Sequence, residues 1–377
     1  MTWKFPYYTP GQPIPWDQLE SNFSWFRDMK GVPQDPIWHA EGDVFIHTKM
    51  VVEALVSQPE FQILSEEDKH ILFAAALLHD VEKRSTTTTE VMDGVERIVS
   101  PRHAKRGEYT VRNLLYQEIE TPFKVREQVA KLVRLHGLPL WAITKEDPAK
   151  AVIGASLVVD TAHLSLLARA DIHGRICQDQ EEILLRIDLF DELCRELECF
   201  GTARVFATDH ARYWYLNKQE AYIDYVPFDE FKCEVTVMCA LPGSGKDTYI
   251  AQNLDLPMLS LDDIRRKHKI DPTDKKRNGQ VIQMGKEEAK VFLRAGTEFV
   301  FNATNITREI RSKWISLFIE YGAKVKLIYV EVPYRQLLQQ NRARAYPVPE
   351  KVVKEMIRKL EIPAMDEAHE VVFQVSN

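Results

Sequence analysis

The chain has 377 residues, of which 45% are hydrophobic and 28% charged, and its formal net charge is −7. This is enough apolar material for two domains. The acidic balance argues against a protein that coats long nucleic acid with a broad basic face, although an enzyme gripping one end of a strand stays open. No apolar run is long enough to span a membrane, and the aromatic, proline-rich residues 1–8 lack the apolar core of a signal peptide, so a cytoplasmic protein is expected. Cys177, Cys194, Cys199, Cys233 and Cys239 show no metal-binding spacing and fit a reducing compartment.

Residues 1–40 are rich in proline and carry Trp3, Trp16, Trp25 and Trp38. Tryptophans seek burial, which predicts an ordered wrap packed on the domain that follows, residues 41–217. Apolar residues recur at helical spacing over 47–56, 66–78, 105–116, 124–135, 151–177, 180–197 and 203–216. No stretch before residue 230 reads as a strand, so this domain is expected to be all-α.

Its chemistry lies in Ala74-Ala75-Ala76-Leu77-Leu78-His79-Asp80, an apolar helix that ends in an imidazole beside a carboxylate. That donor pair suits a divalent transition metal. His47 lies upstream, and His103, His136 and Asp171 follow, each on or beside a predicted helix. A single histidine on a helix is more often a surface or satisfied core residue, and the weight comes from the order H…HD…H…H…D. In that order, over residues 40–180, the chain resembles the HD phosphohydrolase superfamily. His47, His79, Asp80 and Asp171 match its basic set, and His103 and His136 match the extra histidines of its binuclear members.

The resemblance implies one or two divalent transition metals, chosen from manganese, nickel, cobalt, zinc and iron. The first would take His47, His79, Asp80 and Asp171, and the second Asp80, His103 and His136. Asp80 would bridge them, and the pair would polarise a phosphate and activate a water. Lys83, Arg102, Lys105 and Arg106 are either a clamp for that phosphate or a solvated basic face. The surroundings look like the HD domain attached to bacterial tRNA nucleotidyltransferases, which opens cyclic phosphates and removes 2′-phosphates. Asp209, His210 and Arg212 form a polar cluster near the domain's end, for which a structural role is favoured over a substrate path.

Residues 218–231 read as a linker broken at Pro227, and residues 232–377 as a second domain. An apolar β-type run over 234–239 leads into Ala240-Leu241-Pro242-Gly243-Ser244-Gly245-Lys246-Asp247-Thr248, and a helix follows. Strand, glycine-rich loop, lysine and helix are the context of a P-loop. The backbone N–H groups around Gly243, Ser244 and Gly245 would wrap nucleotide phosphates, with Lys246 and Thr248 beside them. Two letters depart from the usual pattern. Ala240 replaces the first glycine, and Asp247 replaces the hydroxyl residue that holds magnesium. Asp247 is expected to hold magnesium directly or through water, or only to start the helix.

Further strands at 257–261, 298–302, 324–332 and 370–375 alternate with helices at 248–253, 263–268, 279–295, 308–321, 334–345 and 350–360. This predicts an α/β fold with a mainly parallel sheet. Asp262 and Arg265, together with the P-G-S-G-K-x-T loop, resemble the phage polynucleotide kinase. The resemblance implies that Asp262 is the general base and that Arg265 holds the acceptor's phosphate. In that family's D-T-N element Ala303 stands where the aspartate would be, with Asn302 adjacent, and Asp247 is expected to supply the missing carboxylate. Arg342 and Arg344 resemble the kinase lid and would close over the NTP phosphates.

An all-α HD-type domain followed by a P-loop kinase domain resembles the bacterial HD–polynucleotide kinase fusions that heal broken RNA ends. The resemblance implies ATP or another NTP with Mg²⁺ as donor and the 5′-OH of an RNA or DNA end as acceptor. It also implies 2′,3′-cyclic phosphodiesterase and 2′-phosphatase activities, a ligase acting downstream and no membrane, with a homodimer left open. Two alternatives stand beside it: an NTP-gated HD phosphohydrolase acting on a free nucleotide, and a nucleoside kinase fused to an HD hydrolase.

Overall fold

The computed structural model describes residues 2–271 and 274–376, without the side chain of Lys275. The chain divides into two compact units, Met1–Arg204 and Val205–Asn377.

The first unit is built on helices whose starts are written locally. Ser65 accepts the Asp68 N–H at the head of Glu66–Leu78, and Glu66, Glu67 and Asp68 sit in its positive first turn. From His70 to Leu78 every residue of that helix is buried. A helix apolar on all sides belongs in a core, and it carries His79 and Asp80 inside with it. Asp43 caps Val44–Ser57 and Asp160 caps Thr161–His173. The latter two helices meet closely. A Cβ on Gly174 would lie 2.6 Å from Val51 Cγ2 and 2.7 Å from its backbone nitrogen. Only glycine permits that approach, and the approach brings Asp171 to His47.

Three features of this unit differ from the sequence reading. An antiparallel hairpin, β1 (Thr88–Met92) and β2 (Val95–Val99), stands where no strand was expected. Its turn residues Asp93 and Gly94 both have positive φ, 51° and 78°, and Asp-Gly between β-branched runs is the signal of a two-residue hairpin turn. The stretch 151–177 is not one helix but two, Pro148–Ser156 and Thr161–His173, because the Asp160 carboxylate takes the Ala162 and His163 N–H groups and starts a new helix. In the N-terminal wrap Trp3 and Trp25 are buried, but Trp38 is 40% exposed and lies under the Arg97 guanidinium instead.

The second unit is an α/β layer structure with the sheet order β4–β5–β3–β6–β7, every neighbouring pair parallel. The strands are β3 (Cys233–Ala240), β4 (Met258–Ser260), β5 (Phe299–Asn302), β6 (Ala323–Glu331) and β7 (Glu370–Val375). β3 is central and buried over nearly its whole length, which explains its continuous apolar sequence. Crossovers run from β3 towards β4 and β5 on one side, then to β6 and β7 on the other. The order reverses beside β3, and ligands of open α/β sheets bind at the carboxyl ends of the strands at such a point. Arg311, fully buried, pairs with Glu367 at 2.7 Å and donates to the Asn305 and Glu361 carbonyls. Asn305 in turn donates to Met238 O, so the loop after β5 is held against β3.

The helix Asp209–Asn217, assigned above to the first domain, makes its bonds inside the second unit. Arg212 pairs with Asp209 and donates to the Met365 and His369 carbonyls. His210 reaches Asp229 at 2.7 Å. This cluster fastens the helix. His369 is buried, and its Nδ1 accepts the Val325 N–H at 3.0 Å. Burial, with His210 nearby, pushes its pKa down to about 4. The unfolded chain would therefore take up this proton first on acidification. The stability tied to neutral His369 is expected to be complete above about pH 6.5 and to drain away towards pH 4. His369→Asn keeps an acceptor for the Val325 N–H, and its urea midpoint should fall less steeply across that window than the wild type's. Parallel slopes would show that His369 is not the titrating group.

No single helix among the described residues is long and apolar enough to cross a membrane.

Candidate functional site

In the first unit, His47, His79, Asp80, His103, His136 and Asp171 converge from five helices or helix ends. The Asp80 carboxylate divides them. Its Oδ2 faces His79 Nε2 at 3.2 Å and His47 Nε2 at 3.7 Å, while its Oδ1 faces His103 Nε2 at 3.3 Å and His136 Nε2 at 4.0 Å. Asp171 Oδ1 stands 3.1 Å from His47 Nε2 and 3.9 Å from His79 Nε2. All are buried except His103, which is partly open.

The imidazoles share one device. Nδ1 of His79, His103 and His136 donates to the carbonyl three residues earlier: Ala76 at 2.7 Å, Ser100 at 2.8 Å and Val133 at 2.8 Å. A carbonyl can only accept, so the proton is fixed on Nδ1 and the lone pair on Nε2 points at Asp80. His47 Nδ1 is held by the Glu41 carboxylate at 2.8 Å and the Gly174 carbonyl at 3.3 Å. Glu41 Oε1 also meets His39 Nδ1 at 2.8 Å, and Oε2 accepts the Ile176 N–H. Arg175 pairs with Asp171 Oδ2 at 2.6 Å.

Sequence reasoning missed Glu41, whose only signal is a carboxylate six positions before His47. Of the proposed phosphate clamps, Lys83 is buried on Asp80 Oδ2 at 2.7 Å and on Gln34, Arg106 donates to Ser85, and Arg102 and Lys105 are exposed.

In the second unit, the loop after β3 carries Gly243 and Gly245, both at φ +88°. A Cβ on Gly243 would lie 2.6 Å from the Leu337 carbonyl, so the loop packs tightly on the helix Tyr334–Arg342. Ser244 is buried, and its hydroxyl has no partner among the described residues. Lys246 opens the helix Lys246–Asn253, donates to Asn302 Oδ1, and lies 3.3 Å from Asp247 Oδ1. Asn302 donates its amide to the same Asp247 oxygen at 3.0 Å. Asn302, not Ala303, therefore faces the loop at the end of β5, while Thr248 is exposed.

After β4, Asp262 pairs with Arg265 at 2.6 Å, and Arg265 is steadied by Asn278 at 2.9 Å. Arg342 reaches Glu350 at 3.2 Å, and Arg344 is exposed, with its charge felt at Lys246 and Asp247. The charge of Asp262 also acts on Lys246.

Residues 44–172 match the HD domain family, and residues 235–363 match a family described as an AAA domain. The chain carries an HD domain and a P-loop kinase-like domain. Among solved structures, a sugar kinase from Janibacter sp. HTCC2649 is 18% identical, with 38% of this chain and 85% of that one covered and a TM-score of 0.30. A kinase-like protein from Chloroflexus aurantiacus j-10-fl is 16% identical, covering 38% and 88%, with a TM-score of 0.32.

The donors of the HD domain fit divalent metal. His47 Nε2, His79 Nε2 and Asp80 Oδ1 are buried with no hydrogen-bond partner among the described residues. Acceptors that converge with no donor between them are costly unless a cation satisfies them. The electrostatics of the two carboxylates and of His103 and His136 agree, whereas at His79 burial is outweighed by Asp80, which raises that imidazole. Burial works against ionised Asp80, yet the Lys83 ammonium and His79 hold its carboxyl well below the usual range. Burial likewise opposes Asp171, and Arg175 and His47 overcome it. Burial, with His79 adjacent, pushes His136 down to about 3, and burial lowers His103 against the pull of Asp80. Those two imidazoles are neutral and ready to ligate at physiological pH.

Glu41 is expected to matter to the metal without touching it. Glu41→Gln removes the charge behind His47 and should weaken transition-metal affinity about 10–100-fold. Competition with a chromophoric chelator measures this, and an unchanged affinity would reduce Glu41 to a packing residue.

Proposed function

We propose that this chain heals broken nucleic-acid ends, as a 5′-OH polynucleotide kinase joined to a 2′,3′-cyclic phosphodiesterase and 2′-phosphatase. The observation that carries the reading is the Asp262–Arg265 pair at the head of the helix after β4. A carboxylate and a guanidinium sit together there, past the carboxyl end of β4, on the same side of the sheet as the phosphate loop past the carboxyl end of β3. Asp262 would accept the proton of an attacking hydroxyl, and Arg265 would hold a phosphate of the same acceptor. Its fork favours an acceptor that carries a phosphodiester over a bare nucleoside.

On the donor side, the N–H groups of residues 243–245 and the helix start receive the NTP phosphates. Lys246 neutralises them, and Arg342 and Arg344 approach from the lid. Asp247 and Asn302 would hold magnesium through their side-chain oxygens.

In the HD domain, His47, His79, Asp80 and Asp171 would hold one divalent ion, and Asp80, His103 and His136 a second. When bound, such ions supply Lewis acidity and an activated water. Asp80 would serve both subsites through its two oxygens, and His103, the most open member, leaves its side accessible to a phosphate. The ends served are RNA or DNA, with a ligase acting afterwards.

The test is γ-labelled ATP, magnesium and a 5′-OH RNA oligonucleotide, followed by an oligonucleotide ending in a 2′,3′-cyclic phosphate with manganese, nickel, cobalt, zinc or iron supplied in turn. Label at the 5′ end and conversion of the cyclic end to a 3′-terminal hydroxyl pair support the reading. Absence of transfer to RNA and DNA, with ATP binding intact, would overturn the kinase half in favour of a small-molecule acceptor.

A further inference from the structure

The phosphate loop holds a charge arrangement that its sequence pattern does not call for. Lys246 is the cation expected to draw in the triphosphate, yet its ammonium is already engaged by Asn302 Oδ1 and faces Asp247 Oδ1 at 3.3 Å. Asn302 ties the two together by donating to the same Asp247 oxygen at 3.0 Å. The Lys246 side chain is largely buried but Asp247 is open to solvent, so this contact is partly screened. A lysine and a carboxylate side by side sum to no net charge. A bare triphosphate therefore meets a loop whose lysine is offset by an adjacent carboxylate.

Building on the nucleotide-binding half of the function proposed above, we propose that Asp247 and Asn302 form a metal-dependent gate on the donor site, which excludes free nucleoside triphosphate and admits only its divalent-metal complex. With a cation present, the Asp247 carboxylate and the Asn302 carbonyl oxygen turn from Lys246 to the ion. Lys246 is released to the phosphates, so that one event supplies a ligand and restores the lysine. A hydroxyl at position 247 would ligate the ion without ever neutralising Lys246. The anionic loop makes nucleotide and metal binding strongly coupled, and by linkage each raises the affinity of the other by the same factor. One unit charge at contact distance in a half-buried site is worth roughly tenfold to a hundredfold in affinity.

Calorimetric titration of the full chain with ATP tests this, once with excess magnesium and once in EDTA, with no acceptor present. Wild type should bind the magnesium complex at least about a hundredfold more tightly than free ATP. Asp247→Ser and the isosteric Asp247→Asn should each bind free ATP about tenfold or more tighter than wild type does, narrowing the gap between the two conditions. Asp247 is largely exposed, so both variants should fold.

Equal affinity of wild type in the two conditions, or variants no tighter than wild type in EDTA, would overturn the gate while leaving the nucleotide site standing. No ATP binding under either condition would overturn the nucleotide site and the gate with it. Failure to phosphorylate a 5′-OH end would count against the proposed acceptor alone.

Discussion

Asp80→Ala is expected to strip all bound transition metal from the HD domain, whereas His136→Ala should lose only the second of the two ions proposed above. The reason is the division of labour at one carboxylate: Oδ2 serves the His47 and His79 side, Oδ1 the His103 and His136 side. Metal content by mass spectrometry reads the difference directly. The proposed hydrolysis of a 2′,3′-cyclic phosphate should fall by at least about 10³-fold in Asp80→Ala, because the Lewis acidity lost is worth several kcal/mol.

Removing Asp80 also leaves Lys83 buried without its carboxylate, which costs about 3–5 kcal/mol in comparable buried pairs. His103→Ala is the cleaner companion. Its side chain is 24% exposed, and it too should lose only the second ion with the fold intact. If Asp80→Ala kept metal at wild-type stoichiometry, the shared-carboxylate arrangement would be wrong. Full loss in Asp80→Ala with no change in either histidine variant would point to a single ion.

If Asp262 is the base proposed above, Asp262→Ala should reduce phosphoryl transfer to the proposed 5′-OH acceptor about 10²–10⁴-fold, the usual contribution of such a group, while ATP affinity stays at the wild-type value. The carboxylate is 54% exposed, and its partner Arg265 retains Asn278, so the fold does not depend on it. Arg265→Ala should act on the acceptor instead. It should raise KM for a phosphate-bearing end more than for a bare nucleoside. A variant at Asp262 that lost ATP binding together with transfer would place the residue in the donor site and deprive the reaction of its proposed base.

Much of this molecule is legible from local sequence because local rules made it. Ser65, Asp43 and Asp160 cap their helices with their own side chains, and the continuous apolar run of residues 71–78 can only be core. The order of donors His47, His79, Asp80, His103, His136 and Asp171 can be read without a structure, as can the strand, glycine loop, lysine and helix around Lys246. The Asp93-Gly94 hairpin and the break at Asp160 were equally local signals; they were masked by the helical periodicity on either side.

Other features are not properties of any window of sequence. Glu41 supports His47 only because the segment before Val44–Ser57 folds back over it. The approach of that helix to Thr161–His173, which sets His47 against Asp171, depends on the space at Gly174. Asn302 faces Lys246 because β5 lies beside β3 in the sheet, although 56 positions separate the two in the chain. The amino-acid order determined which donors exist and which helices and strands carry them, since propensity, capping and periodicity act over a few residues. Packing alone decided which oxygen of Asp80 meets which imidazole and which partner occupies Lys246, since those contacts depend on distances between elements that only the assembled core defines.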